Sequence, residues 1–428
     1  MAYPVIASLS KPKAMLFNLL RRGLVRDTLW TTFFSTIGKS LGFLIPFFIA
    51  AWFGVTSETD AFFFAYGIIL FLSGIFAPVV ESIIVPYIAE AISRNEDTGR
   101  FVGNILGVSG GALLVLLAAF VLLIKPALSL VTHFDPQTVR LVFWLLVETA
   151  PLFVLLVWTS VLAGTLNAYK RFAFPALSPG IRALVCLGII FAFKDTYGVH
   201  AIAIGYVAGE LLRLGSVFWV IKWLRLFKLR VSFRLSAKLR EFLQTASYQM
   251  AGMAVIGINP IVDKAMASWL GKGSVSVLHY ADRLYMIPVT FVSTGLMVTL
   301  LSHWSGRYYE EGIERLHGDV KKAIKIVGLL ALFITLALVL VRQPLVRLAF
   351  GRGAFDQTML PEVGWVWVCY LLGFVPYMTG TVFLRAHLAL KNTKVIMQYG
   401  FFVVGLNVLL NYILMKYFRV AGIALATS

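Results

Sequence analysis

Long uninterrupted apolar stretches recur along this chain, and they constrain its fold more than any other feature. A helix needs about 20 residues to cross the roughly 30 Å hydrocarbon core of a bilayer, and apolar runs that do not alternate with polar residues argue against a β-barrel. Eleven stretches reach this length, and a twelfth begins near Ala421. The sequence therefore predicts an all-α, polytopic membrane protein with spans at 28–54, 60–89, 102–124, 141–164, 174–193, 199–221, 244–270, 276–302, 323–341, 363–388 and 395–415.

The composition also indicates that lipid surrounds the chain. Apolar side chains make up 59% of the 428 residues and charged ones only 14%, whereas soluble domains carry about a quarter charged residues. Cys186 and Cys369 fall inside apolar stretches without metal-site spacing, so we interpret both as small core residues. The basic segment 1–27 leads into a span of full length and lacks a small-residue cleavage pattern. We therefore interpret it as a cytoplasmic N-terminal segment and not as a removed leader.

The net charge of +18 would suggest a nucleic-acid partner in a soluble protein, but here the positive-inside rule accounts for most of it. With the N-terminus in the cytoplasm, 23 of the 38 basic residues fall in cytoplasmic segments and nine in outer ones. Seven of the 23 lie in the linker 222–243, and five lie in a second cytoplasmic loop predicted at 307–325. We therefore expect a cytoplasmic N-terminus and no nucleic-acid partner.

Six basic and five acidic residues remain inside the predicted spans. An ionisable group near a helix centre costs about 2.5 to 3.5 kcal/mol, so each should face a partner, an aqueous cavity or a ligand. These residues are Lys39, Arg182, Arg213, Lys264, Arg283, Arg385, Glu81, Glu148, Glu210, Asp263 and Asp282. Several cations without enough well-placed acids suit a substrate that brings its own negative charge, such as a phosphate or diphosphate.

Lys39 lies close to the middle of the first span. It is at least about eleven residues, or roughly 16 Å, from either end, so its ammonium cannot easily reach an interface. The neighbouring Gly38 and Ser40 leave room around it. We interpret Lys39 as a residue that lines a cavity.

Some of the other charges have candidate partners nearby in sequence. Glu210 and Arg213 are three positions apart on one helical face and can neutralise each other. The neighbours 263–264 and 282–283 are also acid–base pairs, but successive helical residues point about 100° apart. We therefore expect these four side chains to find partners on other helices.

An internal duplication organises the chain. Residues 51–54 resemble 268–271, and residues 199–203 resemble 420–424, at a nearly constant offset near 218. Six helices per repeat would give both halves the same orientation, related by a pseudo-two-fold axis along the membrane normal. We predict two six-helix lobes around a central site, which is the layout of an alternating-access carrier. The limits are an N-lobe of helices 1–6 at 28–221, a basic cytoplasmic linker at 222–243, and a C-lobe of helices 7–12 at 244–428 with the last helix incomplete.

Small residues mark a further packing surface in the third span. Gly103, Gly107 and Gly111 recur at four-residue spacing. This spacing lets two membrane helices approach closely, so it predicts a helix–helix contact.

The polar residues do not indicate an enzyme. The six histidines are scattered without the spacing of a metal site or a triad, and the short loops leave no room for a soluble catalytic domain. A drug or cation antiporter would favour an acidic cavity, whereas the intramembrane charges here are more basic. A purely structural scaffold would leave the intramembrane cations unexplained. These features favour a transporter of anionic cargo.

Four short motifs carry a family resemblance. They are Thr-Asp-Ala-Phe-Phe at 59–63, the 166–175 loop, Tyr-Ala-Asp-Arg-Leu at 280–284 and Phe-Gly-Arg-Gly-Ala-Phe at 350–355. They resemble the MurJ/MviN lipid II flippases of the multidrug/oligosaccharidyl-lipid/polysaccharide exporter superfamily, in order from about residue 30 onward. The resemblance implies a flippase of the bacterial inner membrane. Its cargo would be an undecaprenyl-diphosphate-linked cell-envelope precursor, such as lipid II for peptidoglycan synthesis, moved from the inner to the outer leaflet.

The resemblance also implies substrate-binding residues. Arg283, with Asp282 beside it, matches the family's essential arginine of the eighth helix, and Asp60 matches its second-helix aspartate. Lys39 stands where the family has a first-helix arginine, which keeps the charge and loses the bidentate fork. The further candidate cavity charges are Glu81, Arg182, Arg213, Lys264 and Arg385.

Two departures from the family pattern leave the cargo open. The family's second arginine in helix 1 is replaced within the apolar stretch 44–46, and its paired arginines in helix 2 align with Ser73 and Gly74. With fewer cavity cations, an exopolysaccharide or O-antigen repeat unit is the alternative cargo. The oligomeric state also stays open.

Some family members hold a sodium ion in the second lobe, and four residues here partly resemble that site. They are Asp263, Asn407, Asn411 and Thr427, with the two asparagines four positions apart on one helical face. Asn411 stands where a second aspartate is expected, so a cation there would meet less negative charge. Hydrogen bonding between helices is the alternative role. No other cofactor is expected, and Na⁺ or the membrane potential is the candidate coupling force.

Overall fold

The computed structural model describes residues 11–389 and 393–428, with side chains described from Trp30 onward except at 31–32, 293–313, 385, 387–399 and a few single positions. About 87% of the chain is helical, and the described residues contain no β-strand. The helices are α1 Lys11–Phe53, α2 Ser57–Ser93, α3 Thr98–Val131, α4 Pro136–Thr149, α5 Pro151–Ala168, α6 Ala173–Tyr197, α7 His200–Trp223, α8 Ala237–Gly257, α9 Asn259–Ala267, α10 Ser274–Leu340, α11 Arg342–Phe350, α12 Leu360–Leu372, α13 Phe374–Ala389, α14 Thr393–Phe418 and α15 Val420–Thr427. The predicted all-α class is confirmed.

Eight stretches of the described chain are long and apolar enough to cross a membrane. They are Phe33–Phe53, Ser57–Ser93, Thr98–Ile124, Pro136–Ala168, Ala173–Tyr197, His200–Trp223, His317–Leu340 and Gln357–Leu384, and Phe402–Phe418 is a shorter apolar helix. These stretches confirm a multi-pass membrane protein. The predicted spans 244–270 and 276–302 are not among the eight; the first is broken and carries two charges, and part of the second has no described side chains.

Proline and glycine divide several predicted spans. The spans at 141–164, 244–270 and 363–388 each become two helices. Pro151 and Pro260 stand at the first two breaks and Gly373 at the third. Proline removes a backbone donor and crowds the preceding turn, so a single straight helix cannot pass through these positions undisturbed.

The region 307–325, predicted to be a cytoplasmic loop, is helical and not a loop, while its cytoplasmic location stays a prediction. The backbone of α10 runs without interruption from Ser274 to Leu340, across that whole region. The break between two apolar stretches and the charges there indicate a loop, but glutamate, lysine and arginine are also good helix formers. A polar stretch can therefore end an apolar span without ending the helix.

Most helix packing lies within each half of the chain. In the N-terminal half, α6 packs on α1 and α7, and α2 packs on α4 and α5. In the C-terminal half, α10 packs on α12 and α13, and α15 packs on α12 and α14. Between the halves, α2 contacts α8, α9 and α10, while α1 contacts α10 and α11. The junction between the halves therefore runs along α1, α2 and α10, and the exact lobe limits stay a prediction.

The glycines of α3 contact the linker. Residues 226–236, here called the linker strap, are not helical and run along α3. The backbone N–H of Arg230 donates to the Gly99 carbonyl (3.3 Å), and that of Ser232 donates to the Gly103 carbonyl (3.4 Å). A Cβ at Gly103 would collide with the Arg230 carbonyl. The predicted close approach is present at Gly103 and Gly107 but not at Gly111, and the partner is an extended segment and not a helix.

Candidate functional site

A cavity of about 300 Å³ lies at the junction of the halves, among α1, α2, α6, α7 and α10. Three of the predicted charges line it: Lys39 from α1, Arg182 from α6 and Arg283 from α10. Tyr66 and Tyr206 add aromatic walls. The structure thus brings together cations that are more than 240 positions apart in sequence.

Glycine on α1 positions the first wall of this cavity. A Cβ on Gly38 would lie 2.8 Å from the backbone oxygen of Ala176, so α1 can approach α6 this closely only without a side chain there. Lys39 follows directly, and its side chain is exposed. Within the part of the chain that the structure describes, Lys39 has no ion-pair partner. Its ammonium is therefore available to a ligand.

Arg182 shares its counter-ion with a second arginine. Glu210 is fully buried and lies 3.4 Å from Arg182 Nη1 and 3.1 Å from Arg213 Nη1. Arg213 also donates from Nε to Ser178 Oγ at 3.0 Å. The predicted neutralisation of Arg213 by Glu210 is present, but one carboxylate serves two guanidinium groups. Arg213 stands behind the cavity wall and does not line it.

Arg283 has a different partner from the one expected. Its Nη2 lies 3.4 Å from Asp282 Oδ2, so the prediction that these neighbours cannot pair is wrong. The arginine side chain is long enough to turn back across the 100° between successive helical positions. Both side chains stay partly exposed, at 30% and 27%, so the contact is a screened one. Arg283 keeps donors available on the cavity side.

Three buried polar atoms on the cavity-lining residues have no hydrogen-bond partner. They are Arg182 Nε, Arg283 Nε and His279 Nδ1. Buried polar atoms are nearly always paired in native proteins, so a cluster of exceptions calls for an explanation. A ligand with several acceptor oxygens would supply the missing partners after small rearrangements of these side chains.

His279 is a cavity residue that the sequence reasoning missed. Its ring stacks on Phe63 with centroids 3.9 Å apart, and the side chain is only 3% exposed. Neither metal-site spacing nor triad spacing singles out this histidine in the sequence. The missed signal is that His279 precedes Arg283 by four positions and therefore shares its helical face.

Asp60 and Lys264 do not line the cavity, although both were candidates. Asp60 is buried and accepts from the backbone N–H groups of Gly273 (2.6 Å) and Ser276 (2.7 Å), and from Ser276 Oγ (2.6 Å). It therefore caps the N-terminus of α10 from the other half of the chain. Lys264 donates from Nζ to the Phe63 carbonyl at 2.9 Å. Both side chains fasten α2 to the C-terminal half.

Further contacts strengthen this junction near Asp60. Tyr280 donates from its hydroxyl to the Gly54 carbonyl at 3.0 Å, and the Ala354 N–H donates to the Ala51 carbonyl at 2.7 Å. Gly54 has a positive φ of 68°, and a Cβ there would lie 2.5 Å from the Ala354 oxygen. We call these contacts, with those of Asp60, the junction latch. They hold the two halves together at one end of the cavity.

The four candidate cation ligands lie together in one buried network. Asp263 Oδ1 accepts from Asn411 Nδ2 (2.6 Å) and Asp263 Oδ2 accepts from Thr427 Oγ1 (2.8 Å). Asn407 donates to Thr427 (3.2 Å), while Asn411 also donates to Asn407 Oδ1 (3.2 Å). Asn411 Oδ1 is buried without a partner. The described residues contain no group of three or more acidic, histidine or cysteine ligands, so the network offers one carboxylate with neutral oxygens.

The remaining candidates stand apart. Glu81 accepts a long hydrogen bond of 3.5 Å from Asn167 and does not line the cavity. The side chain of Arg385 lies outside the described residues.

The fold and this cation-lined junction define a polytopic, all-helical membrane protein with a charged cavity between the two halves of its chain. A solved inward-facing multidrug resistance transporter of the MATE family superposes with a TM-score of 0.75 at 15% identity, over 92% of this chain and 90% of that one. The structure titled "Lipid II flippase MurJ, inward closed conformation" gives 0.78 at 24% identity, over 94% of this chain and 84% of that one. At these identities the likeness establishes the fold.

Sequence comparison identifies the family within that class. The family model described as "Lipid II flippase MurJ" matches residues 49–428. The "Probable lipid II flippase MurJ" of Rickettsia prowazekii is 23% identical over 95% of this chain and 81% of its own length, and that of Synechocystis is 28% identical over 92% and 76%. The chain belongs to the MurJ lipid II flippase family, a family of membrane transporters and not of enzymes.

Proposed function

We propose that this protein flips an undecaprenyl-diphosphate-linked cell-envelope precursor, lipid II or a related lipid-linked oligosaccharide, from the inner to the outer leaflet. The observation that carries the proposal is the positive excess at the cavity. Among the described residues, Lys39, Arg182, Arg213 and Arg283 are four cations. Their direct ion pairs involve two carboxylates, those of Glu210 and Asp282, and Glu81 is a third acid close enough to interact with Arg213. A diphosphate supplies the missing negative charge and accepts charge-assisted hydrogen bonds from several donors at once.

An apolar groove beside this cavity suits the lipid chain. It has a volume of about 810 Å³ and lies between α1 and the helices α10, α11 and α12. Its walls include Leu44, Phe47 and Phe48 of α1 and Leu284 and Pro288 of α10. The charged cavity and the apolar groove therefore share the helices α1 and α10. A headgroup bound at Arg283 can leave its polyisoprenyl chain in hydrocarbon.

Translocation requires that the junction latch opens and closes. We place the N-terminus in the cytoplasm, because that orientation puts 23 basic residues inside and nine outside, or 18 and nine if the five of the helical segment 307–325 are left out. The latch at Gly54, Asp60 and Gly273 then faces the outer leaflet, and the headgroup enters from the cytoplasmic side. Rocking of the halves about α1, α2 and α10 would open the latch and deliver the headgroup outward.

A monovalent cation at Asp263 is the coupling ligand that we propose for the C-terminal half. The oxygen atoms of Asp263, Asn407, Asn411 and Thr427 could surround it once the two amides turn their oxygens inward. The unpartnered Asn411 Oδ1 supports this arrangement. Asn411→Asp adds a second carboxylate and should make flipping or thermal stability respond to a lower Na⁺ concentration. An unchanged Na⁺ response in both measurements would exclude the site.

Two related functions remain as alternatives. An exopolysaccharide or O-antigen repeat unit would present the same diphosphate to the cavity, so the cations do not distinguish these cargoes. A drug or cation antiporter is disfavoured, because Lys39, Arg182 and Arg283 would repel a cationic drug at the cavity wall.

Reconstitution in liposomes tests the proposal. Lipid II and an undecaprenyl-diphosphate oligosaccharide are supplied separately, and the headgroup that becomes accessible on the far side is measured. Arg283→Ala should lower flipping about 10- to 150-fold, the effect of losing a hydrogen bond to a charged group. Arg283→Lys should retain part of the activity.

Arg140→Ala is the matched control, because Arg140 is exposed and outside the cavity. It should leave flipping unchanged. Normal flipping by a well-inserted Arg283→Ala variant would refute the assigned role of the cavity.

A further inference from the structure

A second apolar groove lies on the N-terminal half, away from the headgroup cavity. It has a volume of about 490 Å³ between α3, α5, α7 and the linker strap. Along α3 it extends from Leu106 to Leu114, about 12 Å at the helical rise of 1.5 Å per residue. It shares no lining residue with the headgroup cavity. The proposed flipping mechanism leaves this groove without a role.

Missing side chains create the space in this groove. Gly111 of α3 and Gly215 of α7 line it, and a Cβ added at either position would meet no atom within 4 Å. Trp158 of α5 forms the opposite wall, and its buried Nε1 has no hydrogen-bond partner. The groove is therefore an apolar space with one unused donor in its wall.

The linker strap closes one end of the groove in a fixed register. Two residues of extended chain rise about 6.6 Å and four residues of helix rise about 6.0 Å, so alternate strap residues can meet every fourth residue of α3. The bonds from Arg230 to Gly99 and from Ser232 to Gly103 follow this rule. Because side chains alternate along an extended segment, the residues at odd positions point together, and Leu229, Val231 and Phe233 all line the groove.

The alternate strap positions carry positive charge. Lys228, Arg230 and Arg234 are exposed beside the groove. Arg230 makes one loose ion pair with Asp97 at 3.5 Å, with its side chain 68% exposed. The neighbouring acid Glu96 is occupied by Lys238 at 2.7 Å. The mouth of the groove therefore keeps a positive excess. The apolar side chains of Val231 and Phe233 are 60% and 75% exposed, so they are accessible to contact with lipid.

We propose that this groove and the linker strap form a binding site for one anionic membrane phospholipid. Its acyl chain fills the space between α3, α5 and α7, and its phosphate lies near Arg230, in the positive field that Lys228 and Arg234 extend along the strap. Basic clusters at a membrane surface gain about a fivefold preference for anionic lipid per residue. The bound lipid would hold the linker strap on α3, and this strap joins the two halves that must move during transport.

Fluorescence quenching tests the site. The purified full chain is titrated with phosphatidylglycerol brominated on an acyl chain, and with phosphatidylcholine carrying the same chain. The signal is the difference in quenching between the wild type and Trp158→Phe. We expect binding of phosphatidylglycerol to be more than tenfold tighter. Lys228→Gln and Arg234→Gln should each weaken it about fivefold without affecting phosphatidylcholine.

Groove-filling variants separate a specific site from ordinary lipid contact. Gly111→Leu fills open space, so it should abolish the Trp158 signal while the thermal unfolding temperature stays unchanged. Gly188→Leu also fills open space but lies outside the groove, and Arg140→Gln removes an exposed charge far along the chain; both should bind like the wild type. Equal quenching by the two lipids, or full quenching in folded Gly111→Leu, would overturn the proposal.

Discussion

Single atoms carry the most specific information about the cavity. Arg182, His279 and Arg283 each bury one nitrogen without a partner. An unsatisfied buried polar group costs about 1–3 kcal/mol, and total stabilities of folded proteins are only about 5–15 kcal/mol. Three such atoms around one small cavity would together remove a large part of the free energy of unfolding, which a purely structural region would not be expected to tolerate. A recurring anionic ligand that pairs with them explains why the fold tolerates them.

Replacing His279 by phenylalanine separates packing from ligand contact. His279→Phe keeps an aromatic ring stacked on Phe63 and removes both ring nitrogens, so stability should hold while undecaprenyl diphosphate binds about tenfold more weakly. Binding can be measured by native mass spectrometry, and the unfolding temperature by calorimetry. Trp365→Phe, at an exposed position outside the cavity, is the aromatic control. Unchanged binding in His279→Phe would limit His279 to a packing role.

The sequence predicted the location of some site residues correctly and the contacts of others wrongly. Lys39 could be placed in a cavity because its distance from both span ends excluded an interface. The Asp282–Arg283 contact was missed because helical angles describe where Cβ atoms point and not how far a long side chain can turn. Asp60 was assigned to the substrate through family resemblance, whereas its hydrogen bonds join segments more than 200 positions apart and leave no local pattern.

At the scale of elements, local chemistry predicted which segments are helical and failed at their connections. The apolar stretches located the helices well, since each must satisfy its own backbone in lipid. The sequence did not predict that α10 continues through a charged region. Charged residues indicate exposure to water, but they do not indicate whether the backbone is helical. The partner of the α3 glycines was missed for a related reason. Small residues predict a close neighbour without saying whether that neighbour is a helix or an extended strap.

The strap contact leads to a test of its own. In Gly103→Ala the new methyl group collides with the Arg230 carbonyl, so the linker strap should lift from α3. Two backbone hydrogen bonds of about 0.5–1.5 kcal/mol each are lost, and the detached fraction should rise roughly 5- to 150-fold. Trypsin should then cut within the linker correspondingly faster. Gly111→Ala, which meets no atom within 4 Å, should be cut at the wild-type rate. Equal rates would show that the strap is not held by this contact.

At the scale of the whole molecule, the proposed transport mechanism depends on relative movement of the two halves. A disulfide across the junction latch tests this directly. Ala51→Cys and Ala354→Cys, in a chain whose native cysteines are replaced by alanine, place thiols where the backbones of the two segments are hydrogen-bonded at 2.7 Å. Oxidation should stop flipping and a reductant should restore it. Ala51→Cys alone is the control, and undiminished flipping by the fully cross-linked protein would contradict alternating access.

The Asp60 contact has a consequence for the state in which the empty transporter rests. When the halves separate, the backbone N–H groups of Gly273 and Ser276 lose the Asp60 carboxylate as their acceptor and must donate to water instead. Loss of a helix cap costs about 0.5–2 kcal/mol, which corresponds to a bias of roughly 2- to 30-fold between two states. Such a bias is large enough to give the empty transporter a preferred resting state. It is also small enough that a bound headgroup can reverse that preference, so the Asp60 cap biases which state the empty transporter occupies.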